Sequence, residues 1–309
     1  MPEMILFGAG ASVEGLVPDS NKMTERIVEE FGKVNHPKRH IDVIKFVIGG
    51  LLFKKGIQGE NPLNAGVNVE ELFNAVQLLS ERNVLEAAPF IGSWHSMIEE
   101  LDRFEYLLPI LNALKTQKKL TVATLNYDNG IEKLAALKNV PCKTGIEGWE
   151  NSGKFEMGSE GLSLLKLHGS IDWLYASAVT EEKPMPFFLL QIVPEKPKFM
   201  QDFMPAIIFG QKNKLTAEGP FLDLLRTFQQ ELANIDRLTI VGYSFGDPHI
   251  NVYLSQWLNK DTGNQMRIID PFFNSNPREY AVQLRSLADK QIQVLPVKAS
   301  EGLAQLYPA

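Results

Sequence analysis

Four short polar motifs, each closing an apolar strand-like run, constrain this chain more than any other feature. They are Phe7-Gly8-Ala9-Gly10-Ala11-Ser12, Thr124-Leu125-Asn126-Tyr127-Asp128, Lys166-Leu167-His168-Gly169-Ser170 and Val241-Gly242-Tyr243-Ser244-Phe245-Gly246-Asp247. In an open α/β sheet the loops beyond the carboxyl ends of the strands converge on one crevice, where ligands bind. Glycine, serine, asparagine, aspartate and one histidine brought together there suggest a nucleotide site with a catalytic base.

The strand candidates after the first run, 4–7, are 120–125, 163–167, 206–209, 238–241, 266–269 and 292–296. They alternate with helical patterns, which predicts an α/β fold built on a doubly wound, mostly parallel, Rossmann-like sheet. A helix is expected over 21–31, with Met23, Ile27 and Phe31 on one face. From 32 to 118 the pattern is helical, an insertion or subdomain within a single domain of 309 residues. There Asn68 and Glu71 have capping-box spacing ahead of Val69, Leu72, Phe73, Val76 and Leu79. A second long helix is expected from about Ser93 through Ile98, Leu101, Leu108, Leu111 and Leu114, kinked or split at Pro109. Lys115, Lys118 and Lys119 at its end suit the helix dipole.

Composition narrows the function classes. A net charge of -6 and the absence of a broad basic surface argue against nucleic acid as a direct partner. The stretch His36-Pro37-Lys38-Arg39-His40 reads as a solvated loop. Cys142, the one cysteine, rules out an internal disulfide and a cysteine-built zinc cluster, so no metal site is expected. The opening Met4-Ile5-Leu6-Phe7 run is too short for a signal peptide. No apolar run nears the roughly 20 residues that span a bilayer. A soluble, cytoplasmic protein without membrane contact is expected.

Each motif carries a chemical and a structural reading. The Gly8-Ala9-Gly10 turn can approach a pyrophosphate closely because it lacks side-chain bulk. Its next glycine falls at Gly15, outside the strict dinucleotide spacing, and a purely structural turn fits equally well. Asn126 and Asp128 can hold ribose hydroxyls or a water; taken alone, a backbone-capping turn is the simpler account. Histidine as a residue type titrates near neutrality and suits general-base work, so His168 is a candidate base, against the ordinary alternative of a satisfied core or turn histidine. The group Asp247-Pro248-His249 reads as a helix start. Gly242, Tyr243 and Ser244 offer amides and a hydroxyl, and Asp270 can take adenosine-ribose hydroxyls or simply fix the turn before Pro271.

Taken together and in this order, the motifs resemble the sirtuin fold family, over residues 5 to 271. Matching elements are the glycine loop with Gly15-Leu16-Val17-Pro18 downstream, Asn126-Tyr127-Asp128, His168-Gly169, and Gly242-Tyr243-Ser244. The chain departs from protein-deacylating sirtuins in lacking their cysteine-bound zinc module. It reads Pro18-Asp19-Ser20 where they carry Asp-Phe-Arg, and has Tyr243 and Asp270 in place of a threonine and an asparagine. Those departures, with the run from Leu167 to Trp173 and that from Gly242 to Asp247, resemble the zinc-free sirtuin-like proteins of bacterial antiphage defence, members of which hydrolyse NAD.

The resemblance implies an NAD glycohydrolase with NAD as substrate, no zinc, and Asn126 and His168 as catalytic residues. NAD contacts are implied at Gly8, Ala9, Gly10, Ala11, Ser12, Pro18, Asp128, Gly169, Gly242, Ser244, Phe245 and Asp270. It further implies a homo-oligomer, with a hexameric DNA-translocating ATPase as a regulatory partner. Two alternatives stand beside it: a protein deacylase or ADP-ribosyl transferase, and a non-catalytic NAD or ADP-ribose sensor.

Overall fold

A computed structural model describes residues 2–18, 20–33, 38–61, 66–81, 103–178, 187–192, 204–208, 220–287 and 290–309. Its centre is a sheet of seven parallel strands: β1 (Glu3–Phe7), β2 (Lys119–Thr124), β3 (Cys142–Lys143), β4 (Gly161–Lys166), β8 (Arg237–Val241), β9 (Gln265–Ile269) and β10 (Ile292–Leu295). A second sheet is antiparallel, with β5 (Gly169–Ala178) between β6 (Phe187–Ile192) and β7 (Met204–Ile207).

The large sheet runs β10-β9-β8-β1-β2-β4-β3, so the chain winds one way from β1 through β2 and the other way through β8. Strand order therefore reverses at β1, and loops leaving there and at its two neighbours splay apart into a crevice. Burial on both faces explains why β1, β2, β4 and β8 read as largely apolar runs. Met4 and Leu6 enter one core with Phe228, Leu238 and Leu254, while Ile5 and Phe7 enter the opposite core with Leu107, Ile110 and Leu303. This is the period-two alternation of a pleated strand.

Helices cover both faces: α4 (Gly130–Leu137), α5 (Ile146–Ser152), α6 (Phe221–Leu232), α7 (Pro248–Lys260), α8 (Glu279–Arg285) and α9 (Ala299–Leu306) complete the body after residue 119. The helical stretch before it divides by its packing. Helices α1 (Ser20–Lys33), α2 (Lys38–Ile57) and α3 (Val69–Glu81) share a separate cluster of Met23, Ile27, Ile44, Leu72, Phe73 and Val76, closed by Ile171 of β5. The 3-10 helix Glu105–Lys115 instead packs on the large sheet through Leu107, Ile110 and Ala113.

Several local expectations are corrected. The long helix from Ser93 does not run through to Leu114: Phe104 is non-helical and a separate 3-10 helix begins at Glu105, with Pro109 lacking the amide an α-helix needs there. Ser93, Ile98 and Leu101 lie outside the described residues. Lys119 opens β2 and pairs with Glu231 at 2.8 Å instead of ending a helix. Lys38, Arg39 and His40 open α2, where a loop was expected; His36 and Pro37 lie outside the described residues, as does Phe209 of the 206–209 strand candidate. Asn68 Oδ1 accepts from the Glu70 amide at 2.8 Å at the start of α3, and Glu71 approaches Lys55 at 3.5 Å.

Candidate functional site

The parallel register places the glycine turn, the Asn126 loop, His168, the Gly242 loop and Asp270 all beyond the carboxyl ends of β1, β2, β4, β8 and β9. The first and fourth motifs interlock backbone to backbone. A Cβ on Gly8 would stand 2.6 Å from Tyr243 Cα, and one on Gly242 (φ +59°) would stand 2.2 Å from the Ala11 nitrogen. Three amides of the glycine turn are used within the protein: Gly8 donates to Val241, Gly10 to Gly242 and Ala11 to Gly8, at 2.8–2.9 Å. The glycines thus serve close loop packing, and the expected cradle of amides for a pyrophosphate is not built from these three.

The polar centre lies beside that junction. Asn126 Nδ2 donates to Gly8 O at 3.0 Å and to Ser12 Oγ at 2.8 Å, and Ser12 Oγ donates to Asp128 Oδ2 at 2.7 Å. With both amide hydrogens engaged, Asn126 keeps Oδ1 as an acceptor for a water or sugar hydroxyl. Tyr106 lies beside this cluster; burial, then the charge of Asp128, raise its phenol well above the ordinary range.

Beneath it lies a buried lysine. The Lys166 side chain is fully buried at the end of β4; its Nζ donates to Asp128 O at 2.6 Å and Glu132 Oε1 at 2.8 Å. Burial raises the Glu132 carboxyl above its usual range, against the pull of Lys166. A cation under the Asn126-Tyr127-Asp128 turn fixes its carbonyls. Lys166→Met should cost about 3–5 kcal/mol, the penalty for stranding one partner of a buried pair, read by denaturant unfolding.

His168 lies between the two sheets: β4 ends at Lys166 and β5 begins at Gly169. Gly169 has φ +87°, and a Cβ there would meet Ala206 O at 2.0 Å, so only glycine fits this passage. The His168 carbonyl accepts from Ile208 N at 2.9 Å, and Tyr127 Oη donates to Ile208 O at 2.8 Å. The imidazole is buried, and its Nε2 stands 3.0 Å from Asp247 Oδ2. Both residues line a cavity of about 20 Å³, room for one water. A larger cavity of about 420 Å³ lies elsewhere, lined by Leu108, Asn112, Lys138 and Tyr307 among others, with no motif residue in its wall.

The remaining expected residues divide. Pro18 is buried, and Ser244 is exposed. Phe245, with φ +57°, is buried against Tyr243, Phe273 and Tyr280, which makes its ring a support for the loop. Asp270 Oδ1 accepts from Phe272 N at 2.8 Å, the turn-fixing bond that was the structural alternative for this residue. Burial raises its carboxyl above the ordinary range. A carboxyl raised on folding costs stability once pH climbs past it, so Asp270→Asn, which preserves the turn, should raise the melting temperature at neutral pH. That gain should vanish below about pH 4, where both forms are neutral.

Sequence reading did not single out Tyr106, Lys166, Glu132 or Asp247 as site residues. Lys166 alone announced itself, as a lysine inside the apolar run from Leu162 to Leu167. Among the described residues no cluster of three or more histidine, cysteine or carboxylate side chains could hold a metal, and no helix is long and apolar enough to cross a membrane.

A sequence profile of the SIR2-like domain matches residues 120–295, over half of the chain. No curated protein matches it by sequence. Among solved structures, a Sir2 homologue mutant in complex with 2'-O-acetyl ADP ribose is similar at a TM-score of 0.50 and 17% identity, covering 99% of this chain and 90% of that one. A Sir2 homologue–NAD complex gives 0.47 and 15%, covering 99% and 88%. At these identities the likeness of the first is one of fold.

Proposed function

The chain belongs to the SIR2-like domain family, and from that premise we propose that it is an NAD hydrolase releasing nicotinamide and ADP-ribose. The observation that carries this reading is that Asn126 and His168 follow the carboxyl ends of the adjacent strands β2 and β4, with Asn126 bonded to Ser12 beside β1, where strand order reverses. The Sir2 homologue of similar fold holds an ADP-ribose derivative, which supports a ligand of that class here.

The reaction asks little of acid catalysis. Nicotinamide departs neutral from a cationic pyridinium, taking the electrons of the broken C–N bond, so no proton need be supplied to it. This differs from ordinary glycosidases, which pair two carboxylates. The oxygen of water forms the new bond to the sugar carbon, and its proton passes to a base. Asn126 Oδ1 orients the water or a ribose hydroxyl, His168 accepts the proton, and Ser12 and Asp128 hold the sugar. Ser244 and the backbone of the Gly8 and Gly242 loops bound the phosphates, with Asp270 at the adenosine ribose. No metal takes part in this scheme.

We further propose that the chain is a single sirtuin-like domain acting in the cytoplasm as an antiphage effector. A hydrolase that drains NAD must stay silent until needed, so control falls to self-assembly and to a partner ATPase. Purified protein incubated with NAD alone, or with candidate partners, should yield nicotinamide and ADP-ribose in equal amounts. NAD binding without turnover under both conditions would instead support a sensor.

A further inference from the structure

Resting on the hydrolase reading, we propose that Asp247 is a positioning residue that holds His168 in the tautomer and orientation a base requires. Its Oδ2 stands 3.0 Å from His168 Nε2, and both side chains are more than nine-tenths buried. A carboxylate at Nε2 accepts that nitrogen's proton in a hydrogen bond, which puts the neutral ring's lone pair on Nδ1. When Nδ1 takes a proton, the same carboxylate stabilises the imidazolium.

The carboxylate is itself fixed from the other side. Asp247 is the N-cap of α7, with Oδ1 accepting from His249 N at 3.1 Å, at a helix end where negative charge is stabilised. Its amide donates to the Tyr243 hydroxyl at 3.0 Å, which also bonds Asn251. One oxygen thus ties the residue to α7 and the other to His168, 79 residues earlier in the chain. A cap alone uses the first oxygen and leaves the second unexplained.

Asp247→Asn separates the two roles, because asparagine caps a helix as well as aspartate does and lacks the charge. The melting temperature should hold. NAD turnover should fall about 100-fold or more in kcat, with KM little changed, on the scale of losing a general base. Adding His168→Ala to Asp247→Asn should cost little beyond either change alone. The acid limb of the pH–rate profile should move to lower pH, since the imidazolium loses its carboxylate. The charged and titratable groups named around the ring are Asp247, His249 of α7, Tyr127 after β2, and Glu70 of α3, which acts on Tyr127.

An activity-free readout accompanies these. The imidazole nitrogen-15 spectrum, assigned by loss of one signal in His168→Gln, should show His168 protonated at Nε2, and Asp247→Asn should shift it. A wild type that never turns over NAD defeats the hydrolase reading, and the spectrum then decides the pairing by itself. Wild-type kinetics and an unshifted spectrum in Asp247→Asn overturn the proposal.

Discussion

Replacing His168 by alanine should lower nicotinamide release from NAD by at least about 100-fold, the usual share of a general base. The protein should remain folded. Removal of the ring breaks the hydrogen bond to Asp247 Oδ2, at a cost of about 1–3 kcal/mol. That is a fraction of the roughly 5–15 kcal/mol typical of a domain. The melting curve should therefore shift by a few degrees while activity vanishes. Near-normal turnover in a folded His168→Ala protein would remove the base from the mechanism, and with it the role given to Asp247.

A large loss of stability is expected at Gly242. Alanine there must hold φ +59°, a left-handed conformation that costs about 1–2 kcal/mol, and place its Cβ 2.2 Å from the Ala11 nitrogen. That neighbour is backbone of the interlocked glycine loop and cannot swing aside. We expect a loss of at least about 3 kcal/mol, a melting temperature lower by roughly 10 °C, and weakened NAD binding, because the two loops part. Gly153 is the internal control. Its φ of +64° is similar, yet a Cβ there meets nothing within 4 Å. Gly153→Ala should cost only the backbone strain and leave NAD binding unchanged. Equal losses at the two positions would mean that conformation, and not loop packing, sets the effect.

The parts of the fold legible in the sequence were those with a local signature. β1, β2, β4 and β8 are buried on both faces and announce themselves as apolar runs, and β9 and β10 show shorter ones. The small antiparallel sheet was not legible. β5 starts one residue after His168 without a loop, so its first residues were absorbed into the motif, and β7 was taken for a strand of the large sheet. The 3-10 helix at Glu105 was hidden because the apolar spacing of Leu108, Leu111 and Leu114 continues past Pro109, while the missing amide changes the hydrogen bonding.

The site shows the same division. Asn126, Asp128 and His168 were visible as polar residues following apolar strands. Asp247 was visible only as the start of a helix, which it is; its bond to His168 arises from two strand ends that meet only in the folded sheet. Tyr106 carries no motif at all, and lies near the site because the 3-10 helix packs against the sheet beside β1. The glycine turn was read as an amide cradle, and the structure spends three of its amides on the protein itself. A strand-to-helix glycine pattern cannot distinguish the two uses, since both demand the same absence of a side chain.

The most direct test of the account is NAD cleavage by the purified chain, alone and with candidate partners, in oxygen-18 water, without peptide, beside His168→Ala. The account predicts equal amounts of nicotinamide and ADP-ribose from the wild type, one water oxygen in the ADP-ribose, and neither product from the variant. Nicotinamide release that requires an acyl-lysine peptide, with the sugar joined to an oxygen from that peptide, would contradict it and make the chain a transferase or deacylase.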